Sequence, residues 1–292
     1  MTRGAVVLLL LIAIPLLGQP ANDPDALDAL GRKALAANDA EKAAEYFEKA
    51  VQLRPSSAVY HLHLGQAYGD QAQKASIFGQ ASLAGKTKDE FLKAVELDPN
   101  QLEARSGLID YYTIAPAFMG GSEEKALQQA AEIKKRDALL GHRAYVRIYN
   151  RQKKPDLARK EWLDFVREQP QSAAAHSLLG SFLGVTDKKA KEGFDEVDLA
   201  LKLDPNYMPA YYRLGAIAAT SGAQLPRGEE ALRKYLTYKP TENEPNLASA
   251  HYMLGMIYEK QGKKADAKAS YANALKLAPQ SKEIGEALKR VS

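Results

Sequence analysis

Leu254-Gly255-Met256-Ile257-Tyr258, followed at fixed intervals by Ala267, Tyr271, Ala274 and Pro279, is the stretch whose reading decides the fold. The same residue classes recur with the same spacing near the start of the chain, as Leu30-Gly31, Ala43, Phe47, Ala50 and Pro55. Read as helix, the Leu-Gly pair closes the inner face of a first helix. Alanine, aromatic and alanine at steps of four and three make the face of a second. Alanine stands where the two helices touch most closely. Proline ends the unit because it cannot continue the hydrogen-bond ladder and turns the residue before it away from α geometry.

Working outward from these two stretches, the spacing predicts seven units, 24–57, 58–101, 102–138, 139–172, 173–207, 208–247 and 248–281, with 282–292 as a capping helix. Pro55, Pro99, Pro170, Pro205, Pro240 and Pro279 mark unit ends, and Ala138 stands where the third unit would have its proline. The pattern resembles the tetratricopeptide repeat family, whose period is about 34 residues. The resemblance covers nearly all of the chain after its first 21 residues. It implies an all-α, right-handed superhelical solenoid of antiparallel helix pairs with a concave groove, in a family that usually works as an adaptor.

Two units depart by insertion. The second carries extra residues around Asp70–Lys86, where Ile77, Ala81, Ala84, Thr87, Phe91 and Ala94 step by three and four. This is read as a lengthened second helix. The alternative is a stop at Gly85 and a fresh start at Thr87, which with Glu90 makes a capping box. The third unit gains Ala115-Pro116-Ala117-Phe118-Met119-Gly120-Gly121-Ser122, a loop expected to form a lip with Phe118 and Met119 on it.

The first residues read as a targeting segment. Arg3 precedes an apolar run from Ala5 to Leu17, too short for the roughly 20 residues that span a bilayer, and Gly18 offers a small residue for cleavage. Residues 1–21 are therefore expected to be a signal peptide, leaving an exported protein with no stable membrane span, periplasmic or extracellular in a bacterium. The chain has no cysteine, which excludes disulfides, thiolate metal sites and cysteine nucleophiles. It also has no Asn-x-Ser/Thr acceptor.

Catalytic motifs are missing. There is no Gly-x-Ser-x-Gly elbow, His-Glu-x-x-His helix or dinucleotide fingerprint, and no cofactor or metal site is expected. Gly120-Gly121-Ser122 suggests a phosphate loop, but Glu123 and Glu124 already occupy the positive end of the following helix, so Ser122 reads as a helix cap. His61, His142, His176 and His251 share one repeat position, three residues before the Leu of each Leu-Gly or its equivalent. A position reused in this way reads as a half-buried ring packing between helices. His61 and His63 point to different helix faces and make a poor chelate.

The net charge of +4 is modest, but it is unevenly placed. Between Lys134 and Lys160 ten basic residues stand against Asp137 and Asp156. Within that window Arg143, Arg147 and Arg151 form one stripe along a helix. By the resemblance they line the groove, followed by Ser177, Ser181, Tyr212, Tyr252 and Met256. Guanidinium suits carboxylates and phosphates, while Tyr and Met offer contact area at low entropic cost. The alternative is neutralisation of the arginines by Asp110. The family members that clamp a terminal carboxylate use Lys and Asn where this chain has Asp28, Arg32, His63 and Gln66, so that function is not carried over.

The expected function is a non-catalytic scaffold holding a protein or peptide, an acidic one if the arginines face it, with no nucleic-acid partner. A binder of anionic cell-wall or other polymers through the basic window is the second reading, and an enzyme with a site at the insertion lip the third.

Overall fold

The computed structural model describes residues 22–292, which form fifteen α-helices and, among the described residues, no strand. They fall into two compact units, one ending at Gln129 and one running from Ala130 to Ser292. The leader expected over residues 1–21 lies outside the described residues. Among the described residues no helix is long and apolar enough to cross a membrane.

The first unit holds α1 (Pro24–Ala36), α2 (Ala40–Leu53), α3 (Ala58–Lys74), α4 (Ile77–Leu97) and α5 (Leu102–Ile114), and its boundary falls inside α6 (Glu123–Arg136). The second continues with α7 (Ala138–Arg151), α8 (Pro155–Glu168), α9 (Ala173–Ser181), α10 (Ala190–Leu203), α11 (Met208–Ser221), α12 (Leu225–Tyr235), α13 (Leu247–Lys260), α14 (Lys264–Leu277) and α15 (Lys282–Arg290). Many helices start where a short polar side chain accepts one of the orphan N–H groups of the first turn. Asp23, Asp39, Ser57, Asp137, Ser172, Asn246 and Ser281 all do this. Each such cap is typically worth about 1 kcal/mol.

The Leu-Gly signature has a direct steric cause. A Cβ on Gly31 would stand 2.4 Å from Cε1 of Phe47, and one on Gly255 would stand 2.5 Å from Cε1 of Tyr271. The aromatic of the second helix therefore fills the space that the glycine of the first leaves open. Phe47 and Tyr271 are both fully buried, among the alanines that line the same interface.

A second device ties four of the repeats to the turn before them. The residue six positions after a unit-ending proline returns a polar group to that proline's carbonyl. His61 Nε2 lies 2.9 Å from Pro55 O, and His176 Nε2 lies 3.0 Å from Pro170 O. Arg105 donates to Pro99 O from Nε at 3.1 Å and Nη2 at 3.0 Å, and Tyr211 donates its hydroxyl to Pro205 O at 2.9 Å. Each proline lies in the turn just past a helix end, and the next helix supplies a partner for its carbonyl.

The insertion in the second repeat extends both α3 and α4, separated by a break at Ala75-Ser76. The alternative of a fresh start at Thr87 is overturned. Thr87 is buried within α4 and its hydroxyl donates to Leu83 O at 2.9 Å, the back-bond of a mid-helix threonine rather than a cap. Gly85 stays helical because nothing crowds it and its cost is only one of propensity.

In the second unit α9 runs into a turn of π-helix at Phe182–Thr186. Backbones approach closely beside it: a Cβ on Gly193 would lie 2.7 Å from the Cα of Gly184 and 2.8 Å from the carbonyl oxygen of Gly180. The wide turn ends at Asp187, whose carboxylate takes two donors from Arg159, Nε at 2.5 Å and Nη2 at 3.0 Å.

Candidate functional site

The four registered histidines do different things. His61, His142 and His176 are buried, and each sets Nδ1 against a carboxylate of the second helix of its pair: Glu90 at 2.5 Å, Glu161 at 2.7 Å and Glu196 at 2.7 Å. His142, 0% exposed, also stacks on Phe165 with ring centroids 4.4 Å apart. The expected packing role stands, but the pairing was missed. Its signal was in the sequence, since each of these glutamates directly precedes a core residue, Phe91, Trp162 or Val197. In the last repeat that place is Ser270, and His251 has no carboxylate there. Burial holds the His251 imidazole below its ordinary pKa. His251, Ser270 and Asn273 instead line an open cavity of about 360 Å³.

Among the positions compared with the carboxylate-clamping members of the family, this chain supplies an acid. Asp28 is buried, accepting from Arg32 Nε at 2.9 Å while its other oxygen lies 2.5 Å from His63 Nδ1.

The basic window is largely neutralised from outside its own limits. Lys134 pairs with Glu168, Lys135 and Arg136 with Glu132, Lys160 with Asp164, and Arg159 with Asp187 as well as Asp156. A count that stops at residue 160 omits Glu161, Asp164, Glu168 and Asp187. Of the arginine stripe on α7, Arg143 and Arg147 are half-buried and Arg151 is exposed. Arg147 and Arg151 are engaged within the protein. Arg143 reaches the segment between α12 and α13, where its Nη1 donates to Asn243 O at 2.9 Å.

The other sequence-chosen residues are scattered in character. Ser177 is fully buried and its hydroxyl turns back to Ala174 O at 3.3 Å, so it offers nothing to a partner; small size at a tight helix contact is what the position requires. Ser181 is half-buried. Tyr252 donates its hydroxyl to Glu283 of α15 at 2.9 Å, and its ring lies 5.7 Å from that of Tyr271. Burial and the Glu283 contact push its phenol up to about 12. Met256 is half-buried against the same core. At the lip, Phe118 is 89% exposed on a 3-10 turn, Ala117–Met119, while Met119 is half-buried. Ser122 caps α6 as expected, accepting from Lys125 N at 3.3 Å.

Tyr212 belongs to a cluster that the sequence did not single out. Its ring lies 5.5 Å from Tyr235, and Tyr235 lies 5.8 Å from Tyr238. Tyr235 donates to Pro245 O at 2.5 Å and Tyr238 to Glu244 Oε2 at 2.9 Å, which pins the 239–246 segment beside Arg143. Burial works against the Glu244 charge. The Thr241 N–H, the Tyr238 hydroxyl and Arg143 nevertheless hold its carboxyl below the ordinary range. Next to Tyr212 stands Arg213, 5% exposed, whose Nη1 is buried with no hydrogen-bond partner among the described residues. Burial draws its pKa down. Tyr207 opposes that shift and the like charge of Arg143 adds to it.

Against known proteins, residues 29–76 and 248–281 each match a family model described as tetratricopeptide repeat. The solved structure of a tetratricopeptide repeat protein from Parabacteroides merdae is similar over 92% of this chain and 98% of that one, with TM-score 0.56 and 16% identity. Yeast Tom70 is similar over 92% of this chain and 53% of its own, with TM-score 0.66 and 17% identity.

The fold is that of the tetratricopeptide repeat.

Among curated sequences, the human protein O-mannosyl-transferase TMTC3 is 26% identical over 205 residues. That match takes in 67% of this chain and only 20% of the human protein, so the chain spans about a fifth of the length of that relative.

Proposed function

We propose that this chain is a non-catalytic protein–protein interaction scaffold of the bacterial envelope, exported by its amino-terminal segment and acting outside the cytoplasm. Tetratricopeptide repeat proteins generally mediate protein–protein interaction. The observation that carries the reading here is the face of the second unit where Arg143, Tyr212, Tyr238 and the 239–246 segment meet, a guanidinium beside a cluster of phenols. Phenols and guanidinium groups are the side chains that most often anchor a partner. The transferase activity in the name of the human relative belongs to a protein of which the match takes in only 20%, and it is not part of this reading.

The partner is a protein or peptide carrying acidic groups. Ion pairing of Lys134, Lys135, Arg136, Arg159 and Lys160 with neighbouring acids counts against the second reading, a polymer bound by diffuse positive charge. The test is capture of envelope proteins by the mature chain, repeated with Arg143, Arg147 and Arg151 changed to Glu. Loss of one discrete partner supports the scaffold. Equal capture by both chains, or retention of anionic polysaccharide alone, defeats it.

A further inference from the structure

The second unit buries one cation without an anion. Arg213 has 5% of its surface exposed, its side chain is hydrogen-bonded to the neutral phenol of Tyr207, no carboxylate pairs with it among the described residues, and its Nη1 is buried with no hydrogen-bond partner. The charged and phenolic groups that influence it are Arg143 from α7, Tyr207 ahead of α11, Tyr212 of α11 and Tyr235 of α12, and none is a carboxylate. The acid near Arg143, Glu244, is already committed to Tyr238 Oη at 2.9 Å and Thr241 N at 2.8 Å. Taking a guanidinium out of water is costly, and a second cation beside it adds to the cost. Proteins hold such an arrangement where an anion completes it, as in sites built to receive a carboxylate in bidentate geometry.

We infer that Arg213, with Arg143 beside it and the phenols of Tyr207, Tyr212 and Tyr235 around it, is the seat of a carboxylate carried by the partner peptide. The inference rests on the scaffold reading and deepens it by naming the group recognised and the residue that recognises it. Planar guanidinium matches planar carboxylate, and the hydroxyls of Tyr207 and Tyr212 supply further donors of the kind an acidic ligand needs, while that of Tyr235 is spent on Pro245 O and contributes only its ring. The site differs from the Asp28–Arg32–His63 region of the first unit, where Arg32 and His63 already face an internal acid. The carboxylate comes either from an acidic side chain or from a chain terminus, and the experiment separates the two.

The whole mature chain is titrated, by fluorescence anisotropy, into labelled hexaglutamate with a free C-terminus, hexaglutamate with an amidated C-terminus, and hexaglutamine with a free C-terminus. The melting temperature of each protein is read without peptide. Hexaglutamate is expected to bind the unaltered protein and to bind Arg213→Met at least about 30-fold more weakly, the usual loss when one member of a buried charged pair is removed. The melting temperature of Arg213→Met is expected to be equal or higher, because the variant removes a buried charge that had no counter-charge. Binding that survives amidation and is absent for hexaglutamine assigns a side-chain carboxylate. Binding lost on amidation and retained by hexaglutamine assigns the terminus.

Unchanged affinity in Arg213→Met overturns the inference. If that variant melts lower, Arg143→Gln decides: weaker binding at an unaltered melting temperature supports the carboxylate seat, and unaltered binding overturns it. Failure of the unaltered protein to bind any of the three peptides also overturns it. The envelope-capture result is independent of this outcome, so the scaffold reading stands or falls separately.

Discussion

Arg105 and Arg213 lie on first helices of repeats in different units, at 6% and 5% exposure, and their surroundings are opposite. Arg105 spends its donors on Pro99 O and, at 2.8 Å, on Gln129 Oε1. Arg213 has an aromatic enclosure and a second arginine but no acceptor for Nη1 among the described residues. Burial is the same in the two places, so burial alone does not tell a structural arginine from a recognition one. The accounting of donors against acceptors does.

The sharpest way to break the comparison is to remove each guanidinium. Arg105→Met strands Pro99 O and Gln129, and is expected to cost about 2–3 kcal/mol in urea denaturation, since buried acceptors are left unpaired. His142→Leu tests the same logic in the second unit. It leaves Glu161 without its ring partner, and a loss of about 2 kcal/mol is expected by the same measurement. Arg213→Met should move the other way, gaining up to about 1 kcal/mol; a loss as large as that of Arg105→Met would erase the distinction.

His251 sharpens it through pH. Its folded-state pKa is depressed by burial, so the stability linked to its neutral form is present above the ordinary histidine value of 6.5 and is lost as pH falls through the lower folded value. Melting temperatures taken from pH 7 to pH 5 should fall more for the unaltered chain than for His251→Phe, by less than about 1 kcal/mol in equivalent stability. Phe118→Ser is the smallest, within about 0.5 kcal/mol by thermal melting, because the ring already faces water.

The repeat was legible because a single steric relation, glycine opposite an aromatic ring, writes both members into the sequence at fixed distance. The histidine register was equally visible. Its glutamates were not, because they lie on the next helix and each completes a pair only after the two helices dock. The basic window misled for a related reason. Helical i, i+4 pairs and the following helices carry its counter-charges past the point where the window closed. Ser177 and Arg213 escaped because periodicity places a residue on a face without saying how tightly that face is covered. A serine read as groove lining is fully buried, and an arginine one residue beyond the chosen Tyr212 is the buried cation.

The π turn at Phe182–Thr186 settles a discrepancy of spacing. From Leu254 to Ala267 the chain takes one residue fewer than from Leu179 to Gly193, the corresponding small residue of that repeat. A π turn holds one more residue than the α turn it replaces, so it acts as a one-residue insertion tucked inside a helix. The repeat from Leu214 to Gly228 is longer by the same amount and places its extra residue in a loop instead, where Gly222 and Gln224 take left-handed backbone conformations. Two neighbouring repeats have thus absorbed the same lengthening by different means, one within a helix and one between helices. Deleting a single residue from 182–186 should therefore leave a regular helix and withdraw Asp187 from Arg159, whereas the same deletion at 222–224 would shorten only a connection.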